Sequence, residues 1–202
     1  MSKNGLLLII SGPSGVGKTT IARAVEDRCE GQFSVSMTTR PQTEKDREGV
    51  DYYFVDEATF TEHRENGDLL EWAEVFGNCY GTPREPVETA VANGELMILE
   101  IDVEGAVQVR ARMPEALAIF IEPPDESTLL ERLRGRGRDE EDVIQARFAE
   151  ARREIERAHQ SGVYDVFIVN DELDAAIERT VGVVQAEFAD RQESSPSPSE
   201  SS

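Results

Sequence analysis

A three-layer α/β fold around a parallel sheet follows from two patterns in this 202-residue chain. Apolar runs at 6–10, 96–101, 117–121 and 166–169 show little alternation, as strands covered on both faces do. Helical periodicity separates most of them, at 18–29, 103–113, 125–134, 141–161 and 173–188. Strand alternating with helix builds a sheet flanked by helices on both sides. The length suits one compact domain with a sizeable core and small inserted lobes.

The first strand leads directly into Gly12, Pro13, Ser14, Gly15, Val16, Gly17, Lys18, Thr19 and Thr20. Gly12 to Thr19 fits G-x-x-x-x-G-K-[ST], and the helix at 18–29 follows. Strand, glycine loop and helix together mark a phosphate-binding loop rather than an ordinary glycine-rich turn. Glycines let the backbone wrap an anion, and the helix start aims free N–H groups at it. Lys18 supplies a point charge for the β/γ-phosphates, and the Thr19 hydroxyl is a hard oxygen ligand for Mg²⁺. The core is therefore expected to be of the P-loop NTPase type and to bind a nucleoside triphosphate.

Residues 33–36 read as one further short strand. From 38 to 94 the pattern changes, with short aromatic strands at 52–55 and 69–75 and short helices at 56–66 and 83–93. This is expected to be a small mixed α/β lobe inserted between core segments 1–37 and 95–191. The run Arg134-Gly135-Arg136-Gly137-Arg138 combines mobile glycines with phosphate-seeking arginines and reads as a lid over 134–140. The tail at 192–202 is rich in Ser, Pro and Glu without apolar periodicity, so disorder is expected there.

The net charge of −20 is spread along the chain, and only Lys3, Lys18 and Lys45 represent lysine. Such a surface repels nucleic acid and anionic membrane, which excludes both as expected partners, and it suits a salty cytoplasm. No apolar segment approaches the roughly 20 residues that span a bilayer. The opening MSKNG leaves no room for a secretory signal before the first strand, so a cytoplasmic location is expected. Cys29 and Cys79 are expected to be free thiols, and His63 and His159 surface residues; no Cys/His cluster points to a structural metal.

Further motifs follow in order. They are Ser34-Val35-Ser36-Met37-Thr38-Thr39-Arg40-Pro41, the segment from Gly49 to Val55, the segment from Glu71 to Thr82, Leu99-Glu100-Ile101-Asp102 with Val103-Glu104-Gly105-Ala106, and Ile168-Val169-Asn170-Asp171. Together they resemble the guanylate kinase family, in register from Leu6 to about Phe188. The resemblance implies transfer of the ATP γ-phosphoryl group to GMP or dGMP, with Mg²⁺, and makes the inserted lobe the GMP-binding one. Guanine offers two N–H donors and one carbonyl acceptor, which calls for carboxylates and a hydroxyl. By resemblance Glu71 and Asp102 accept from guanine and Thr82 donates to it, while Ser36, Arg40, Tyr52 and Tyr80 hold its phosphate. Lys18, Arg136 and Arg147 are the candidates for cradling the transferring group, and Arg132 is a secondary candidate for the same role. Arg147 also stands where it can pair with Glu150 or Glu154 on one helix. Asn170 lies near the ATP base by resemblance, and its place ahead of the last helix equally suits a cap. Thr19 and Glu100 are the implied metal ligands.

Three positions depart from the family pattern. Thr43 stands where a second phosphate-binding arginine is expected, Glu100 replaces an aspartate, and Cys79 replaces a tyrosine. Lys45 or Arg47 is a candidate replacement for the missing arginine. The intact Lys18 and Thr19 argue against a phosphopeptide-binding scaffold domain. Glu71, Thr82 and Asp102 argue against a sugar-phosphate acceptor.

Charge also sets an expectation for stability. Self-repulsion at −20 destabilises the compact state, and salt screens it. The thermal midpoint should rise between dilute buffer and molar KCl; a flat or falling midpoint would leave the acidic surface without this explanation.

Overall fold

The computed structural model describes residues 5–75, 77–135 and 140–193, so Arg136, the middle of the expected lid and the tail beyond 193 lie outside the described residues. Strand β1 (Leu6–Ser11) is fully buried and feeds the glycine loop, after which α1 (Lys18–Arg28) begins. A short β2 (Gln32–Phe33) ends the first core segment. The lobe sheet is made by β3 (Met37–Thr38), β4 (Tyr53–Phe54), β5 (Leu69–Val75) and β6 (Asn78–Pro83), with α2 (Glu57–Asn66) between β4 and β5. Asp56 caps α2, its side chain accepting from Thr59 N. The core resumes with α3 (Arg84–Ala92), β7 (Leu96–Glu100), α4 (Val103–Arg112) and β8 (Leu117–Glu122). It closes with α5 (Glu126–Arg134), α6 (Glu141–Ser161), β9 (Val166–Val169) and α7 (Leu173–Glu193).

The core sheet is five-stranded in the order β2-β7-β1-β8-β9, with every pairing parallel. Alternation along β1 splits its side chains between two helical layers. Leu6, Leu8 and Ile10 join Ile21 and Val25 of α1 and Ala176 and Val184 of α7, whereas Leu7 and Ile9 join Val87 of α3 and Ala106 of α4. The expected three-layer class is observed. The second sheet, order β4-β3-β6-β5, is mixed: β3 pairs parallel to β4 and antiparallel to β6. Its own core is Met37, Phe60 and Leu69, with Trp72 and Cys79 packed against them.

Several boundaries differ from the sequence reading. The run 33–36 is not one strand. Phe33 packs into the main core while Met37 packs into the lobe core, so these residues cross from one sheet to the other. Helix α3, expected in the lobe, packs on the main sheet through Val87 and Ala90. Strand β6 was not expected because Gly81 and Pro83 dilute its pattern, yet it pairs with β5 from Val75↔Asn78 to Leu69↔Pro83. Helix α7 runs to Glu193, so 192 and 193 belong to it rather than to the tail. Arg134, the first residue of the expected lid, lies on α5 and donates to Glu141 on α6 at 2.6 Å, tying the two helices together.

Candidate active site

The phosphate loop is shaped by what surrounds it. Gly12 has φ 148°, and a Cβ there would collide with the Ile121 carbonyl oxygen of β8. Gly17 has φ 95°, and a Cβ would fall 2.8 Å from Asn170 Nδ2. Only glycine meets both demands, a left-handed backbone and a close neighbour. Asn170 is buried at the end of β9 and donates from Nδ2 to Val16 O at 2.7 Å. It thus ties the loop down rather than capping α7 with its amide.

Lys18 Nζ donates to Gly12 O and, at 3.1 Å, to Pro13 O. Thr19 Oγ1 donates to Glu100 Oε1 at 2.7 Å. A hydroxyl and a carboxylate oxygen at that separation match two neighbouring corners of an octahedron with bonds of roughly 2.0–2.1 Å, the Mg²⁺ geometry. No group of three or more His, Cys, Asp or Glu gathers among the described residues. A cation there would thus complete its shell with water and phosphate oxygens, as Mg²⁺ usually does. Lys18, Thr19 and Glu100 line one cavity with Pro13, Gly15 and Glu154.

Glu154 was missed in the sequence as a site residue. It sits on α6, and burial pushes its carboxyl up to about 7, Lys18 opposing the shift and Asp102 adding to it. Arg147 lies seven residues earlier on α6 and is exposed. Seven residues are almost two turns, which puts Arg147 on the same helical face about 10 Å nearer the N-terminal end of α6. That spacing was the available signal. Arg132 donates to Asp171 O at 3.3 Å, beside the Asn170 loop.

The second cluster is built by the β5–β6 hairpin and the start of α4. Register sets Glu71 opposite Thr82, and Thr82 Oγ1 donates to Glu71 Oε1 at 2.6 Å. Asp102 is the N-cap of α4, its Oδ1 accepting from Gly105 N at 2.8 Å. A Cβ on Gly105 would lie 3.3 Å from Glu71 Oε2 and 3.4 Å from Asp102 Oδ1, so one residue without a side chain brings both carboxylates together. Glu71 is only 8% exposed. Burial raises its carboxyl to about 7, and the Asp102 charge adds to this against the Thr82 hydrogen bond.

The third cluster gathers Arg40, Tyr52 and Tyr80. The Arg40 guanidinium lies 5.3 Å over the Tyr52 ring, and the Tyr52 and Tyr80 rings stand edge to face at 5.9 Å. Ser36 lies in the crossing segment, its carbonyl accepting from Tyr53 N at 2.9 Å. Asp46, also missed in the sequence, pairs with Arg40 through two hydrogen bonds of 3.0 Å. Arg47 is engaged by Asp51 through Nε and Nη2, both at 3.0 Å, and Lys45 is exposed. Cys29 and Cys79 are free thiols. His63 pairs with Asp68, and His159 stacks on Phe167 and pairs with Glu122. No helix among the described residues is long and apolar enough to cross a membrane.

A family model described as guanylate kinase matches residues 4–187. The chain is 46% identical over 187 residues to the guanylate kinase of Chelativorans sp. strain BNC1, covering 92% of this chain and 84% of that one. It is equally 46% identical over 189 residues to that of Enterococcus faecalis, covering 93% and 91%. Among solved structures, the guanylate kinase from Anaplasma phagocytophilum superposes with a TM-score of 0.69 at 35% identity, covering 93% of this chain and 88% of that one. With the family model spanning nearly all of the folded chain, the protein belongs to the guanylate kinase family.

Proposed function

We infer that this enzyme transfers the γ-phosphoryl group of ATP to GMP, with Mg²⁺ held between Thr19 and Glu100. The observation that carries the acceptor assignment is the meeting of Glu71, Asp102 and Thr82 beside Gly105. Two carboxylates accept from the guanine N1–H and N2–H groups. In the free enzyme the single Thr82 proton serves Glu71. Guanine's own donors replace that service and release the hydroxyl toward O6. Adenine would bring a ring-nitrogen lone pair against a carboxylate and leave it unpaired, at about 1–3 kcal/mol.

The acceptor phosphate is already ionised, so no general base is needed, and the work is positioning and charge compensation. Lys18 is held over the loop by the Gly12 and Pro13 carbonyls, ready to exchange them for β/γ-phosphate oxygens. Mg²⁺ would neutralise charge between the phosphates. Arg147, together with Arg136 outside the described residues, would supply cations to the transferring group. Arg40, Tyr52, Tyr80 and Ser36 hold the GMP phosphate. The free thiols and acidic surface fit a cytoplasmic enzyme working in high salt.

Coupled ADP release with GMP, dGMP, AMP and ribose phosphates offered in turn tests this directly. GMP and dGMP should turn over, and Lys18→Ala should remove at least nine tenths of kcat, a barrier increase above about 1.4 kcal/mol. Turnover of a ribose phosphate in place of GMP would overturn the assignment.

Acidity gives a second test. The ionised form of Glu71 is the acceptor, and its carboxyl titrates at about 7 in the free enzyme. Protons therefore compete with GMP as pH falls, and KM for GMP should rise below pH 7, approaching tenfold per unit. Free GMP takes its own phosphate proton near pH 6 in solution, whichever protein is assayed. Comparison with Glu71→Gln isolates the side chain: the variant should start with a higher KM, discriminate less against AMP, and show a flatter profile. An equal slope in both proteins would remove Glu71 from the base site.

A further inference from the structure

Thr43 occupies the place of an expected arginine, and the structure shows what that segment does instead. A guanidinium carries five N–H donors. Among the described residues, Arg40 Nη1 donates to Asp46 Oδ2 at 3.0 Å and to Pro41 O at 3.2 Å, and Nη2 donates to Asp46 Oδ1 at 3.0 Å. Asp46 is itself fixed, since its Oδ2 also accepts from Thr43 N and Thr43 Oγ1, both at 2.8 Å. The Arg40 guanidinium lies 5.3 Å over the Tyr52 ring and 5.5 Å over the Phe54 ring. The ion pair is shielded, with side-chain exposures of 27% and 16%.

This accounting leaves two Arg40 donors, Nε–H and the outer Nη2–H. They are adjacent on one edge of the planar group, the arrangement that binds two oxygens of one phosphate. Asp46 takes the neighbouring end-on edge, sharing Nη2 but using its other N–H. A carboxylate there need not compete with a phosphate; it stops the long side chain from rotating and presents the open edge. Arg47 gives that same Nε/Nη2 edge to Asp51, so in this structure the edge is presented by Arg40 and not by Arg47.

We propose that Asp46, locked by Thr43, is a positioning residue for the acceptor: it holds Arg40 with its Nε/Nη2 edge toward the GMP phosphate, and so offsets the missing arginine by orientation rather than by charge. The proposal rests on the reading that Arg40 meets that phosphate. It differs from a blocking role, in which Asp46 would have to leave before GMP could bind. The two roles have opposite signs on removal of the carboxylate.

The test uses the full chain with steady-state kinetics at saturating ATP, and calorimetry with GMP and with guanosine, which lacks the phosphate. Asp46→Asn should raise KM for GMP about tenfold, leave kcat within about twofold, and leave guanosine affinity unchanged; Asp46→Glu should restore KM. Thr43→Val, which removes one hydrogen bond from the carboxylate, should raise KM about threefold and carries the test where Asp46→Asn does not fold. An unchanged or lower KM in Asp46→Asn, or equal weakening of GMP and guanosine, overturns the proposal. Arg40→Ala separates the levels. If it raises KM while the Asp46 and Thr43 variants are silent, only the positioning role fails; if Arg40→Ala is itself silent, the reading of the acceptor site fails and takes this proposal with it.

Discussion

The phosphate loop cannot shape itself, and the rest of the molecule is arranged to shape it. Between β1 and α1 the backbone must turn its N–H groups inward, a conformation with positive φ at Gly12 and Gly17. Two neighbours hold it there. The Ile121 carbonyl of β8 closes over Gly12, and the Asn170 amide of β9 presses on Gly17 while binding Val16 O. Both contacts depend on β8 and β9 following β1 in one parallel sheet in fixed register. The fully buried β1 is the reference for that register, and its alternating side chains anchor a helical layer on each face. A core that slipped by one residue would lose the phosphate site before it lost its hydrophobic content.

The acceptor pocket is built on the opposite principle, with stability given up for chemistry. Glu71 is held at 8% exposure beside another carboxylate, and its carboxyl rises from 4.5 to about 7. A carboxyl whose folded value is raised binds protons more readily folded than unfolded. Its destabilisation is therefore absent below about pH 4.5 and grows as pH rises toward 7, to on the order of 3 kcal/mol for this shift. In the proposed complex the guanine N–H groups would offset this cost. The Thr82 hydroxyl holds the carboxylate in place meanwhile, and the hairpin register that sets Thr82 opposite Glu71 is what makes this possible.

The core was legible because its strands are unalternated apolar runs and its glycine loop has a fixed spacing; both signals are local. Glu71, Thr82 and Asp102 could be named from motifs, yet nothing local says that Gly105 brings the two carboxylates within reach of one another. Strand β6 escaped because Gly81 and Pro83 are poor strand formers, and pairing with β5 overrides that propensity. Helix α3 was placed in the lobe rather than on the main sheet because an amphipathic pattern tells that a face is buried, not against what. Glu154 and Asp46 were invisible for a shared reason: in a chain with 41 acidic residues, a carboxylate carries no signal until burial or a partner singles it out.

The central claim is that the core holds the phosphate loop in its binding shape, with Asn170 as the latch. Calorimetry of Asn170→Ala with two ligands, ATP and inorganic tripolyphosphate, tests it. Loss of a latch should weaken both by the same factor, about five- to tenfold for a buried hydrogen bond worth roughly 1–1.4 kcal/mol. If tripolyphosphate binds the variant as tightly as the parent protein while ATP weakens, Asn170 serves the base, and the loop is held by something else.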